Sequence, residues 1–65
     1  MKHRPKFWLG QPVFFNDYSG LNTGEYFVDE ILSTATDNLL NLFQLYRLHG
    51  QGKTIVANEM EMERL

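Results

Sequence analysis

An all-β fold of five short strands is what this sequence predicts, and three observations predict it. Runs of β-branched and aromatic residues recur along the chain: Val13-Phe14-Phe15, Tyr26-Phe27-Val28 and Thr54-Ile55-Val56. Clusters of Gly, Asn, Asp and Ser bound these runs, the residues that tight turns require for positive φ or for local side-chain hydrogen bonds. Near the end, Glu59-Met60-Glu61-Met62-Glu63 alternates with the period of a strand. A chain of 65 residues makes one domain at most, and such a chain buries only about 60% of its extended surface. Its 43% hydrophobic and 22% charged residues suit a folded domain rather than a disordered one. With no cysteine to staple so small a core, stabilisation falls to five Phe, three Tyr and one Trp, each able to bury about 150 to 250 Å².

The first strand is read over residues 12 to 17, between Gly10 and the turn-rich Asn16-Asp17-Tyr18-Ser19-Gly20. Gly20-Leu21-Asn22-Thr23-Gly24 then reverses the chain. Residues 25 to 31 form the second strand, with a bulge near Glu30 so that Tyr26, Val28 and Ile31 all face inward. Residues 37 to 48 carry two readings. Leu39, Leu42, Phe43 and Tyr46 fit one helical face, with Thr36 or Asp37 as its cap, but the surrounding residues leave no broad polar face. The strand reading of residues 41 to 48 is preferred, with turn chemistry in residues 34 to 38 before it; a helical insertion is the alternative. His49-Gly50-Gln51-Gly52 turns into a fourth strand over residues 53 to 57. The fifth strand, residues 59 to 63, places Met60 and Met62 on one face and three glutamates on a solvated other.

This layout resembles the SH3-like barrel in the broad sense that includes KOW and Tudor-type domains, as found in small bacterial, plasmid and phage proteins. The residues that carry the resemblance are Gly10-Gln11-Pro12-Val13, Gly24-Glu25-Tyr26-Phe27-Val28-Asp29-Glu30-Ile31, Leu45-Tyr46-Arg47-Leu48 and Asn58-Glu59-Met60-Glu61. The resemblance implies a small five-stranded barrel over residues 7 to 65; residues 1 to 6, the basic start of the chain, are read as a mobile tail. The resemblance also implies a binding module, as SH3-like barrels usually are.

The chemistry-bearing motifs favour binding over catalysis. Gly50-Gln51-Gly52-Lys53-Thr54 imitates the end of a phosphate-binding loop, but Arg47 stands where that motif needs its first glycine, and β-branched residues follow where it needs a helix. It reads as a hairpin loop. Asn16, Asp17, Asn22 and Glu25 offer oxygen ligands without calcium-loop spacing, so no metal or other cofactor is expected. The two histidines, His3 and His49, make no credible triad, and the chain is expected not to be an enzyme. Nine aromatic residues exceed what the core can hold, which makes Trp8, Phe14, Tyr18 and Phe27 the candidates for exposure.

The leading expectation is a protein-binding adaptor that uses the first loop, residues 16 to 25, with Trp8, Tyr18 and Phe27 as anchors. Asp17, Glu25, Asp29 and Glu30 add an acidic rim suited to a basic partner. An alternative is a nucleic-acid accessory domain in which Lys2, Arg4 and Lys6 touch phosphates and Trp8 or Tyr18 stacks on a base, although the net charge of −2 weighs against it. A third is homo-oligomerisation through a strand edge or the apolar residues 39 to 43. No apolar run suggests a membrane span or a signal peptide, and the absence of cysteine favours a cytoplasmic home.

Overall fold

The computed structural model describes residues 4–36 and 38–65. Lys2 and His3, and Asp37 as one of the two helix-cap candidates, lie outside the described residues. The fold is all-β: β1 (Pro12–Phe15), β2 (Gly24–Thr36), β3 (Leu42–Gly50), β4 (Lys53–Asn58) and β5 (Met62–Arg64), with one 3-10 turn (Glu59–Glu61) before β5. They make one antiparallel sheet in the order β4-β3-β2-β1-β5. The sheet is open, with β4 and β5 as its edges, where the resemblance implied a closed barrel. Among the described residues no helix is long and apolar enough to cross a membrane.

Alternation sorts the side chains. Val13 and Phe15 of β1, Tyr26 and Val28 of β2, Tyr46 and Leu48 of β3, Ala57 of β4 and Met62 of β5 share one buried face, and Phe7 closes over it from the N-terminal arm. Aromatic edges meet aromatic faces inside, with Phe7 against Tyr46 at 5.6 Å and Phe15 against Tyr26 at 6.1 Å between ring centroids. Such T-shaped pairs match positive ring edges to negative faces, which adds to the burial each ring already contributes.

The second strand carries the expected bulge. Val28 pairs with Leu48 and Glu30 with Arg47, so Asp29 is the extra residue. Two consecutive carboxylates therefore stand opposite one guanidinium, and Ile31 returns to the inner face opposite Tyr46. Further along, Ile31 pairs with Tyr46 and Thr34 with Gln44, a second irregularity. There the buried Gln44 side chain donates to the Leu32 carbonyl, and also to the Leu45 carbonyl at 3.2 Å. A side-chain amide thus replaces the main-chain donor that the bulge displaces.

Two boundaries differ markedly from expectation, and between them the preferred strand reading holds over residues 42 to 48. β2 continues to Thr36, because Thr34, Ala35 and Thr36 find partners in Gln44, Phe43 and Leu42, so the residues expected to turn extend a long hairpin instead. Among the described residues the helical insertion does not occur: residues 42 to 50 form β3, and residues 38 and 39 make a turn. The fifth strand begins only at Met62. Asn58 caps the 3-10 turn, its side chain accepting from the Met60 N–H at 2.9 Å, while Glu61 accepts from the Asn58 N–H at 3.2 Å. This reciprocal cap holds the backbone in a turn and breaks the Glu-Met alternation. Met60 is exposed, Met62 is buried, and Glu59, expected on a solvated face, is only 6% exposed.

The β3–β4 hairpin closes as the glycines require. Gln51 and Gly52 both adopt positive φ, at 51° and 73°, the signature of a tight two-residue hairpin loop. Gly50 is needed for a different reason, since a Cβ there would lie 2.9 Å from the Glu25 carbonyl oxygen and 3.0 Å from the Tyr26 ring.

Candidate functional site

The outward parity of the sheet collects a continuous surface around Phe27. Pro12 and His49 are its cross-strand partners, and Thr54 lies beyond His49. One row further, Phe14 pairs with Glu25 on one side and with Glu63 on the other. Phe27 is 55% exposed at the centre of this surface, and Phe14 is half-buried. An aromatic side chain held out of the core on a central strand, with neighbours on both sides, is a ready anchor for a partner.

Asp29 sits on the same outward side but is engaged within the chain. The Arg47 guanidinium donates from Nε to Asp29 Oδ2 at 2.7 Å and from Nη1 to Glu30 Oε1 at 2.9 Å. These carboxylates, above all Asp29 through its hydrogen bond, raise the Arg47 pKa from its ordinary value. The acidic rim expected from Asp17, Glu25, Asp29 and Glu30 is thereby reduced, because Asp29 and Glu30 share the single positive charge of Arg47. Glu25 and Glu63, flanking Phe14, remain as the carboxylates of the outer face.

Asp17 serves the loop between β1 and β2. Its carboxylate accepts from the Ser19 N–H and hydroxyl at 3.0 and 2.7 Å and from the Asn22 N–H at 3.1 Å. The Ser19 hydroxyl is the main reason its pKa falls below the ordinary 3.8. Thr23 completes the loop, its hydroxyl bonding the Asp17 carbonyl and accepting from the Asp17 N–H. The loop is tied inward by Tyr26, whose hydroxyl donates to the Asn22 carbonyl at 2.6 Å, and sideways by Lys53 Nζ on Asn22 Oδ1 at 2.6 Å. Tyr18, 98% exposed, stands on this braced loop, which leaves the sheet at the Phe15–Gly24 pair beside Glu25.

Trp8 belongs to another part of the molecule. It is 59% exposed on the arm before β1, where its N–H donates to Gln11 Oε1 and its carbonyl accepts from the Gln11 N–H, both at 3.1 Å. Gly10 and Gln11 continue onto β2 through two main-chain bonds with Val28. Arg4 and Lys6 lie on the same arm, and both are exposed. The Lys6 backbone is fixed, its N–H donating to Tyr46 Oη at 3.0 Å and to Glu59 Oε2 at 3.1 Å.

Sequence reading missed that buried polar cluster. The Tyr46 hydroxyl donates to Glu59 Oε2 at 2.5 Å and also lies 3.4 Å from the Phe7 N–H. Burial, with the carboxylate beside it, pushes the Tyr46 pKa up to about 12. The cluster ties the arm, β3 and the 3-10 turn together, and its signal in the sequence was the Asn58…Glu61 capping pattern, which marks a turn rather than a strand. Pro12, His49 and the pairing of Arg47 were also missed; each follows only from cross-strand register. Among the described residues no group of three or more His, Asp or Glu side chains converges as a metal site would require. Comparison with protein-family models, with curated proteins and with solved structures finds no match to this chain.

Proposed function

We propose that this chain is a small cytosolic, non-enzymatic binding module of SH3-like layout that engages a protein partner through its outer sheet face and first loop. The observation that carries the reading is the exposed Phe27 between Pro12 and His49 on the central strands, where a ring has been kept out of the core. Phe14, Glu25 and Glu63 adjoin it, and Tyr18 stands on the braced loop at the Glu25 end. An apolar centre with carboxylates at its margin suits a partner segment that has an apolar side chain flanked by Lys or Arg. The layout is supported by a sequential meander whose last strand returns beside the first.

The test is capture from a lysate by the intact chain, followed by titration of the purified partner against wild type, Phe27→Ala and Tyr18→Ala. Loss of a buried aromatic anchor weakens an interface by about 2 kcal/mol or more, roughly thirtyfold. Phe27→Ala is expected to show that loss, and a partner that binds both variants as tightly as wild type overturns the reading. Single-stranded DNA and RNA are titrated in parallel against the intact chain and a form beginning at Phe7. Micromolar oligonucleotide binding that disappears with the tail and falls steeply with salt would replace the adaptor reading with a nucleic-acid one.

A further inference from the structure

The two edges of the sheet are finished differently. β5 is three residues long, and Glu63 and Arg64 are two of them, the short charged edge that discourages strand addition. β4 is six residues long and has no proline, and its only charge is Lys53 at the first position, already bonded to Asn22. Its centre is the β-branched Thr54-Ile55-Val56, with Val56 61% exposed. Nothing in β4 blunts the edge.

Hydrogen-bond alternation shows which backbone groups this edge presents. In a two-residue hairpin loop the flanking residues, here Gly50 and Lys53, exchange both main-chain bonds. Leu48–Ile55 and Tyr46–Ala57 then repeat that pattern, while Thr54, Val56 and Asn58 turn their N–H and C=O groups away from β3. Asn58 gives its N–H to Glu61. Thr54 and Val56 remain as an adjacent set of outward donors and acceptors.

We propose that β4 pairs with β4 of a second copy of this chain, antiparallel, about a two-fold axis through Ile55. In this register Thr54 of each copy faces Val56 of the other, and the two pairs exchange four main-chain hydrogen bonds. Ile55 faces its own counterpart at a position without hydrogen bonds, where Cα atoms approach to about 4.5 Å. Each Lys53 faces an Ala57, so no like charges oppose. A slip of one residue would set Ile55 against Val56 and match an inward side chain to an outward one, which excludes it. The self-complementary pattern is what selects a second copy, since one edge supplies both halves of the match. Phe27 lies on β2, two strands from this edge, and the pairing uses main-chain groups of β4, so the inference does not depend on the proposed partner site.

Sedimentation equilibrium on the intact chain tests it, with Val56→Lys and Val56→Pro as the variants. The proline removes an N–H that β3 does not use, and the lysine adds a charge at the join. Wild type is expected to dimerise with rising concentration, and both variants to shift the dissociation constant upward by tenfold or more while retaining the β-type circular dichroism spectrum. Because the chain has no cysteine, Ile55→Cys alone should form a disulfide dimer under mild oxidation, faster than Thr54→Cys. A wild type that stays monomeric to about 1 mM, a dimer indifferent to both Val56 variants, or cross-linking through Thr54→Cys as fast as through Ile55→Cys overturns the proposal.

Discussion

Replacing Tyr46 by Phe isolates the polar cluster that ties the N-terminal arm to the sheet. The ring and its packing on Phe7 remain, and only the hydroxyl is lost. That hydroxyl donates to the buried Glu59 carboxylate at 2.5 Å and accepts from the Lys6 N–H at 3.0 Å. Glu59 keeps the Lys6 N–H at 3.1 Å, so the carboxylate loses one partner and is not left bare. A hydrogen bond to a charged group contributes about 1.5 to 3 kcal/mol, which sets the expected cost of Tyr46→Phe near neutral pH. Unfolding entropy of about 2.1 cal/mol/K per residue makes 1 kcal/mol equivalent to about 7 °C in a chain of this length. A fall in Tm of about 10 to 20 °C is therefore expected.

The same hydroxyl makes the effect dependent on pH, and the direction is fixed by its pKa. Tyr46 titrates at about 12 in the folded chain against an ordinary 10.0, so the folded state holds the proton longer than the unfolded state does. Its contribution is complete below pH 10 and is lost as pH rises towards 12, amounting to about 2 to 3 kcal/mol. Burial raises the Tyr26 pKa as well, so the wild-type curve alone mixes two tyrosines. The difference between wild type and Tyr46→Phe removes that overlap. Urea denaturation followed by circular dichroism from pH 7 to 12 should give a gap that is constant to about pH 10 and then narrows. A gap that stays constant to pH 12, or a neutral-pH cost below about 0.5 kcal/mol, would refute the role assigned to this cluster.

Other perturbations probe the remaining supports. Val28→Ala should cost about 1 to 3 kcal/mol through lost burial and an incompletely filled cavity, as read from the urea midpoint. Gly50→Ala forces a methyl group against the Glu25 carbonyl and the Tyr26 ring; a loss of about 1 to 3 kcal/mol is expected, and backbone chemical shifts should move at Glu25 and Tyr26. Asp17→Asn should destabilise the chain above pH 4 and converge with wild type below it, because a carboxylate with a depressed pKa stabilises only while ionised; thermal melts from pH 2 to 7 would show the convergence.

The strands were legible in the sequence where side-chain type and punctuation agree. β1, β3 and β4 carry β-branched or aromatic residues and end near Gly, Asn or Asp, so local preference and tertiary pairing favour the same conformation. The bulge at Asp29 was legible for another reason: Val28 and Ile31 are both apolar but three apart, and only an extra residue puts both inside. The fifth strand was misread because two local signals compete over the same residues. Alternating Glu and Met favours extension, whereas Asn58 and Glu61 together cap a turn, and the cap satisfies backbone donors that extension would leave to solvent. The burial of Glu59 was not legible locally, since Tyr46 and Lys6, which bond its carboxylate, lie 13 and 53 residues away.

The candidate surface divides in the same way. Glu25, Phe27 and Asp29 follow from alternation along one strand, but the state of Asp29 depends on Arg47, which is 18 residues distant. Asp17 looked like a rim residue by charge, yet the turn chemistry that surrounds it also gives it three local hydrogen-bond donors, and the loop needs its carboxylate for its own shape. Among the described residues Tyr18 and Phe27, by contrast, take part in no aromatic pair of the core, and Tyr26, which lies beside Phe27 in the chain, supplies that stabilisation on the opposite parity. Stability and the proposed recognition therefore occupy alternate residues of the same strand. The inward residues Tyr26 and Val28 fix where Phe27 stands without limiting what the outer face can bear, so that face can change its partner with little cost to the fold.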